Sequence, residues 1–162
     1  LSGTLTAEVM NAIDLETRGM PTPALISRAL DIAVKAHEEQ VDKGGNPYIW
    51  HPVRVALHSH SDEEKIAALL HDVIEDTSVT MADLAKAGFS EKVLDAIQCL
   101  TKKEGEEYMD FIQRVSGNEI AAKVKIQDLN DNMDVSRLNG RKPWKMDTYK
   151  QALDYLTEHQ NY

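Results

Sequence analysis

The sequence predicts an all-α fold, a compact single helical bundle. Two observations predict it. Apolar residues recur at helical spacing in most segments, and no segment alternates convincingly at period two. Helix-starting signals also stand ahead of those segments: a Ser or Thr three residues before an acid, or a residue followed by proline.

Taken in order, residues 1–20 read as an N-terminal arm and 21–162 as the domain. Residues 6–13 fit either a short helix or a loose arm. Thr22 and Pro23 read as the cap and first residue of a helix over 24–40, with Leu25, Ala29, Ile32 and Ala36 on one stripe. Lys43-Gly44-Gly45-Asn46-Pro47 is a loop. His51 and Pro52 repeat the cap-then-proline arrangement, predicting a short helix over 52–59. Ser61 and Glu64 form a capping box that starts a helix reaching about residue 75. Thr80 and Asp83 start another, to about 86, and Ser90 caps a helix over 91–100. Helices over 106–115 and 119–133 follow. Pro143 opens the last, with Tyr149, Ala152 and Leu156 as its apolar stripe.

The 162 residues suit one domain, and a chain of this size buries roughly 68–70% of its unfolded surface without needing disulfides. Hydrophobic residues make up 42% and charged residues 28%, the balance of a soluble globular protein. The formal net charge of -9 argues against wrapping nucleic acid or coating an anionic membrane, since both need a cationic surface. An anionic ligand would need a local metal ion or lysine cluster to overcome that field. Cys99 is the one cysteine, which excludes an intrachain disulfide and a thiolate zinc cluster and suits a reducing, cytoplasmic setting. It is expected to pack as a small apolar group beside Ile97 and Leu100. The longest purely apolar run, 66–70, is far short of the ~20 residues that span a bilayer. The acidic start carries no signal-peptide pattern.

The most informative stretch is His71-Asp72-Val73-Ile74-Glu75-Asp76. On one continuous helix it places an imidazole and three carboxylates on one face, opposite Ile66, Ala67, Leu70, Val73 and Ile74. The ordinary reading of such a face is solvated surface. His51 alone would be a cap. Lys125, Asp128 and Asn132 share a helix face, and a Lys–Asp pair at i, i+3 is ordinarily a surface ion pair. Together, two imidazoles and two carboxylates make a sensible shell for a divalent transition metal such as Mn, Fe or Zn.

The order His51 … His71-Asp72 … Asp128 resembles the HD-domain metal-dependent phosphohydrolases. AHEEQVDKGGNPYIWHPVRVA (36–56), ALLHDVIEDT (68–77), LTKK (100–103) and KVKIQDLNDN (123–132) are similar to the hydrolase domain of the RelA/SpoT family. The likeness is strongest to its stand-alone small alarmone hydrolases, the metazoan SpoT homologues among them, and covers roughly 25–138.

The resemblance implies a single HD-domain bundle with metal ligands His51, His71, Asp72 and Asp128 and Mn²⁺ as the typical ion. It implies that Glu75 and Asp76 activate and place the attacking water. It implies substrate contacts from Lys43, Tyr48, Lys125 and Asn132. The implied reaction removes the 3′-diphosphate of guanosine tetra- or pentaphosphate, giving GDP or GTP and pyrophosphate. The partner is then a small nucleotide rather than nucleic acid or membrane, and a homo-oligomer is left open. Lys102 and Lys103 could add positive charge, though a solvated helix end is their ordinary reading.

Asp42 departs from this pattern: the family usually carries there an Arg that stacks on guanine, and an acid offers no cation–π face. On that reading Asp42→Arg would tighten the hold on guanine. Glu39 is a smaller departure, standing where Gly is usual. Two other functions fit the same residues, an HD-type phosphatase of another nucleotide such as NADPH and a nucleotide-binding module without turnover.

Overall fold

The structure, a computed structural model, describes residues 22–138 and 142–160. Among these residues there is no strand, only an isolated antiparallel bridge between Val41 and Pro47. The N-terminal arm expected at 1–20 lies outside the described residues.

The first helix, α1, spans Thr22–Ala36 and has Pro23 in its first turn. It stops short of the expected residue 40. His37 is 1% exposed, its Nδ1 meets Gln40 Oε1 at 2.8 Å, and the Gln40 amide donates to the His37 carbonyl at 3.0 Å, so the chain turns back on itself. The 43–47 loop follows as expected. Here Gly45 takes φ +80°, which glycine adopts without steric cost. Helix α2, Trp50–Leu57, starts two residues earlier than expected. His51 therefore sits inside its first turn, buried, and is not a cap.

Helix α3 spans Asp62–Leu70 and opens with the expected capping box: Glu64 N donates to Ser61 Oγ at 3.1 Å and Ser61 N donates to Glu64 Oε2 at 3.3 Å. The sequence predicts a helix to about 75, whereas this one ends at Leu70. The His71 imidazole Nδ1 lies 2.5 Å from the Ala68 carbonyl, competing with the helical ladder for that oxygen. Asp72 then takes φ −99° and ψ −6°, in the bridge region between helix and strand. A separate single turn, α4, covers Val73–Asp76.

The remaining elements are α5 (Met81–Lys86, boxed by Thr80 and Asp83), α6 (Glu91–Leu100, capped by Ser90) and α7 (Tyr108–Ser116). They are followed by α8 (Glu119–Asn132, capped by Asn118), a 3₁₀ turn at Val135–Leu138, and α9 (Met146–Glu158). Helix α7 starts two residues late because Glu106 is held by Arg114 at 2.9 and 3.0 Å and accepts from the Lys103 amide at 3.1 Å.

Helix α3 is the centre of the bundle. Ile66 through Leu70 are all buried, and α1, α2, α6 and α8 pack around it. A helix apolar nearly all round belongs in a core. Ala67, Ala68, Ala121 and Ala122 are fully buried, so α3 and α8 approach with little side-chain bulk between them. Ala152 and Leu156 bring α9 onto α8 as their stripe predicts. Cys99 is a free, half-buried thiol packed against this core next to Ile97 and Leu100, as expected. No helix among the described residues is long and apolar enough to cross a membrane. The ends of α2, α3 and α8 meet at one place, and there the polar residues cluster.

Candidate active site

Each element delivers one part of the cluster. The first turn of α2 supplies His51, the break after α3 supplies His71 and Asp72, and the buried side of α8 supplies Asp128. Asp128 Oδ1 lies 2.8 Å from His51 Nε2 and 3.3 Å from His71 Nε2. Asp72 Oδ2 lies 3.0 Å from His71 Nε2 and 3.7 Å from His51 Nε2. The imidazoles meet edge to face, with centroids 5.4 Å apart. His51, His71 and Asp72 alone present three ligand atoms within 4.8 Å of one another.

The electrostatics fit a cation at that point. Burial opposes ionisation of Asp128, but Lys125 and the two imidazoles hold its carboxyl well below the usual range. Burial likewise opposes charge on Asp72, and His71 brings it down to about 2. Burial disfavours the imidazolium of His51, yet hydrogen bonds to Asp128 and Asp131 raise it to about 9. His71 is raised well above the ordinary histidine value against the same burial, by Asp72 and Asp128. Two ionised carboxylates thus draw positive charge onto two buried imidazoles. A divalent ion would supply the same two charges and leave both rings neutral as ligands.

Lys125 and Asn132 project from the face of α8 that carries Asp128. Lys125 Nζ donates to Asp128 Oδ2 at 2.8 Å, and Asn132 Nδ2 donates to Asp128 Oδ1 at 3.3 Å. The Lys125–Asp128 pair is largely buried, with Asp128 inside and Lys125 at the cleft wall, not the surface pair its spacing ordinarily means. Tyr48 Oη donates to Asp72 Oδ2.

These residues line a cleft of about 480 Å³ that also holds Glu75, Lys102 and Tyr149. Glu75 accepts from the Lys102 amide, and burial lifts its carboxyl above the usual range. Glu75 and Asp76 both follow the break, on the single turn α4, where neighbouring side chains point about 100° apart. Asp76 hydrogen-bonds Gln40 and borders a different, open hollow with Glu38 and Glu39, its carboxyl also raised by burial. Lys43 borders an adjoining cavity of about 250 Å³, which shares Tyr48, His51 and Asn132 with the cleft. Glu75 is thus brought to the cluster, while Lys43 and Asp76 stand at its edges. Lys102 and Lys103 are exposed, as expected of a helix end.

The family described as HD domain matches residues 29–129. The chain belongs to the HD-domain family. A guanosine-3′,5′-bis(diphosphate) 3′-pyrophosphohydrolase of Aquifex aeolicus is 35% identical to it over 120 residues, 67% of this chain and 17% of the relative. A probable enzyme of the same name from Mycoplasma pneumoniae is 44% identical over 87 residues, 51% of this chain and 12% of the relative. This HD domain therefore spans a sixth or less of the length of these curated relatives. A solved structure described as a metazoan ortholog of SpoT that hydrolyzes ppGpp superposes with a TM-score of 0.67 at 22% identity, covering 85% of this chain and 86% of that one. The fold is shared with it.

Sequence reasoning missed two residues at the metal-type cluster of this HD domain. Asp131 Oδ2 lies 2.6 Å from His51 Nδ1, and Arg54 grips Asp131 at 2.8 and 3.1 Å. Arg54 is three residues after His51, and Asp131 three after Asp128. The signal was a second pair of opposite charges one helical turn beyond two suspected ligands.

Proposed function

We propose that this domain is a divalent-metal pyrophosphohydrolase that removes the 3′-diphosphate of guanosine tetra- or pentaphosphate, giving GDP or GTP and pyrophosphate. The buried convergence of His51, His71, Asp72 and Asp128 beside Glu75 carries the reading, and the printed names of the relatives support the substrate. His51, His71, Asp72 and Asp128 would hold the ion, Mn²⁺ in our reading. When bound it supplies Lewis acidity toward water and phosphate.

The chain's own residues do the rest. Glu75 takes a proton from water as its oxygen bonds to the phosphorus attached to the 3′ oxygen. The bond from that phosphorus to the 3′ oxygen breaks, pyrophosphate leaves, and the 3′ oxygen takes up a proton. Asp76 supports this base from behind, through the turn they share. Lys125 and Asn132 turn part of their hydrogen bonding from Asp128 to the phosphates, and Lys43 receives the charge at the cleft edge. Tyr48 orients Asp72. A free nucleotide in a cytoplasmic setting, rather than nucleic acid or a membrane, suits a chain of net charge -9 that sets Lys102, Lys125 and Lys145 around one cleft.

The test is a panel of phosphorylated nucleotides incubated with Mn²⁺ and read by liquid chromatography. GDP and pyrophosphate from guanosine tetraphosphate are the expected products. Phosphate released only from NADPH or another nucleotide would assign the site to a different phosphatase reaction. No turnover of any member would leave a binding module.

A further inference from the structure

We propose that Trp144 is the stacking platform for the nucleobase of the ligand, a subsite assembled from the segment before α9 and the 43–47 loop. The inference deepens the nucleotide reading above and rests on it.

The position expected to hold a base is disabled in this chain. The Asp42 carboxylate Oδ1 accepts from the Gly44 and Asn46 amides, both at 2.9 Å, and is bound into its own loop. It presents no planar cation to a base. Trp144 offers an aromatic plane in the same region. Its side chain is 78% exposed, an unusual cost for so large an apolar group, and it lines the same cleft as His71, Glu75 and Lys125.

Two ammonium groups from different segments converge on this indole: Lys43 Nζ lies 5.5 Å and Lys145 Nζ 4.8 Å from the ring centroid. Both distances are within cation–π range, and at an exposed ring such contacts are weak. A planar base can therefore displace an ammonium from the indole face, and the freed ammonium then meets the nucleotide's phosphates. Base–aromatic stacking is tolerant of base identity, since every base has a π face. The platform thus selects for a nucleoside over a bare polyphosphate and prefers purines by stacking area, without by itself choosing guanine.

The experiment titrates GDP, ADP and inorganic pyrophosphate into the parent protein, Trp144→Phe and Trp144→Ala, with indole emission and calorimetry as readouts. Both purine nucleotides should quench an emission component that the Phe variant lacks, and pyrophosphate should not. Trp144→Ala should weaken nucleotide binding by about 5- to 150-fold, the range of one base stack, and leave pyrophosphate binding unchanged. Trp144→Phe should retain most of the affinity, since a ring remains. Equal nucleotide affinity in all three proteins, or equal losses for pyrophosphate and GDP, would overturn the proposal. Quenching by purine nucleotides in a protein that hydrolyses no guanosine polyphosphate would support the platform while overturning the pyrophosphohydrolase reading.

Discussion

His51 lies between two carboxylates, with Nδ1 2.6 Å from Asp131 Oδ2 and Nε2 2.8 Å from Asp128 Oδ1. Were Nε2 to take the proposed metal, the ring proton would stay on Nδ1 and donate to Asp131. Arg54 in turn fixes Asp131 by two bonds, at 2.8 and 3.1 Å. A carboxylate behind a metal-binding histidine sets its tautomer and angle and raises its basicity.

Asp131→Ala should therefore weaken Mn²⁺ binding by about 10- to 100-fold, the usual cost of losing such an outer partner. Calorimetric titration of the metal-stripped protein measures it. Arg54→Ala should weaken binding less, because the carboxylate remains. An unchanged Kd in Asp131→Ala would show that the bundle alone holds His51 in place.

Asp128 bridges both histidines and also neutralises the buried Lys125 ammonium, so its loss should show in two measurements. Asp128→Ala should empty the metal site by elemental analysis and abolish turnover. It should also leave an unpaired buried cation, which costs about 3–5 kcal/mol. A domain of this size loses roughly 2–4 °C per kcal/mol, so Tm should drop by ~6–20 °C. Adding Lys125→Met should recover much of that Tm without restoring metal. His71→Ala should lose metal too, but without stranding Lys125.

The helix starts were legible in the sequence because their signals are local. Ser61–Glu64, Thr80–Asp83 and Ser90 start helices through their own turns, and the structure shows those starts where the spacing puts them. What local patterns could not reveal were the contacts between distant segments. A single polar face over 71–76 requires an unbroken helix, but the His71 ring takes up the Ala68 carbonyl and α3 ends. Glu75 and Asp76 stay together on the turn that follows, and the ordinary angle of about 100° between helix neighbours faces Glu75 to the cleft and Asp76 to Gln40. Arg54 and Asp131 are 77 residues apart in sequence, so helical spacing sets each one turn from a suspected ligand but does not show that the two meet. The Lys125–Asp128 pair looked like surface because charge spacing carries no information on burial.

Glu75→Gln should separate chemistry from metal binding. The amide keeps the shape but cannot take a proton, and loss of a general base is worth about 10²–10⁴ in rate. We expect kcat to fall in that range with Mn²⁺ content unchanged. Burial raises the Glu75 carboxyl, and the base works only when ionised. Turnover should therefore fall as pH drops through that raised value, placing the acid limb of the profile above the ordinary carboxylate range. In Glu75→Gln the limb should disappear from the residual rate. Parental kcat in this variant would remove Glu75 from the reaction.

Asp42 is where sequence and structure give opposite expectations. From the sequence, Asp42→Arg reads as a gain: a cation over the base and one less negative charge near phosphate. The structure assigns the carboxylate a second task, accepting from the Gly44 and Asn46 amides at 2.9 Å each and so shaping the loop that carries Lys43. Arg cannot accept either bond. Losing two such bonds costs about 1–3 kcal/mol, against about 0.5–1 kcal/mol for an exposed cation–π contact. The loss outweighs the gain, so Asp42→Arg should raise the KM for guanosine tetraphosphate. Asp42→Asn separates the two effects, since its amide oxygen still accepts both bonds while the charge is gone. Its KM should fall a few-fold at low ionic strength, and the advantage should fade as salt screens the phosphates. A lower KM in the Arg variant than in the Asn variant would mean that the loop holds its shape without this carboxylate, and that a cation at position 42 reaches the base after all.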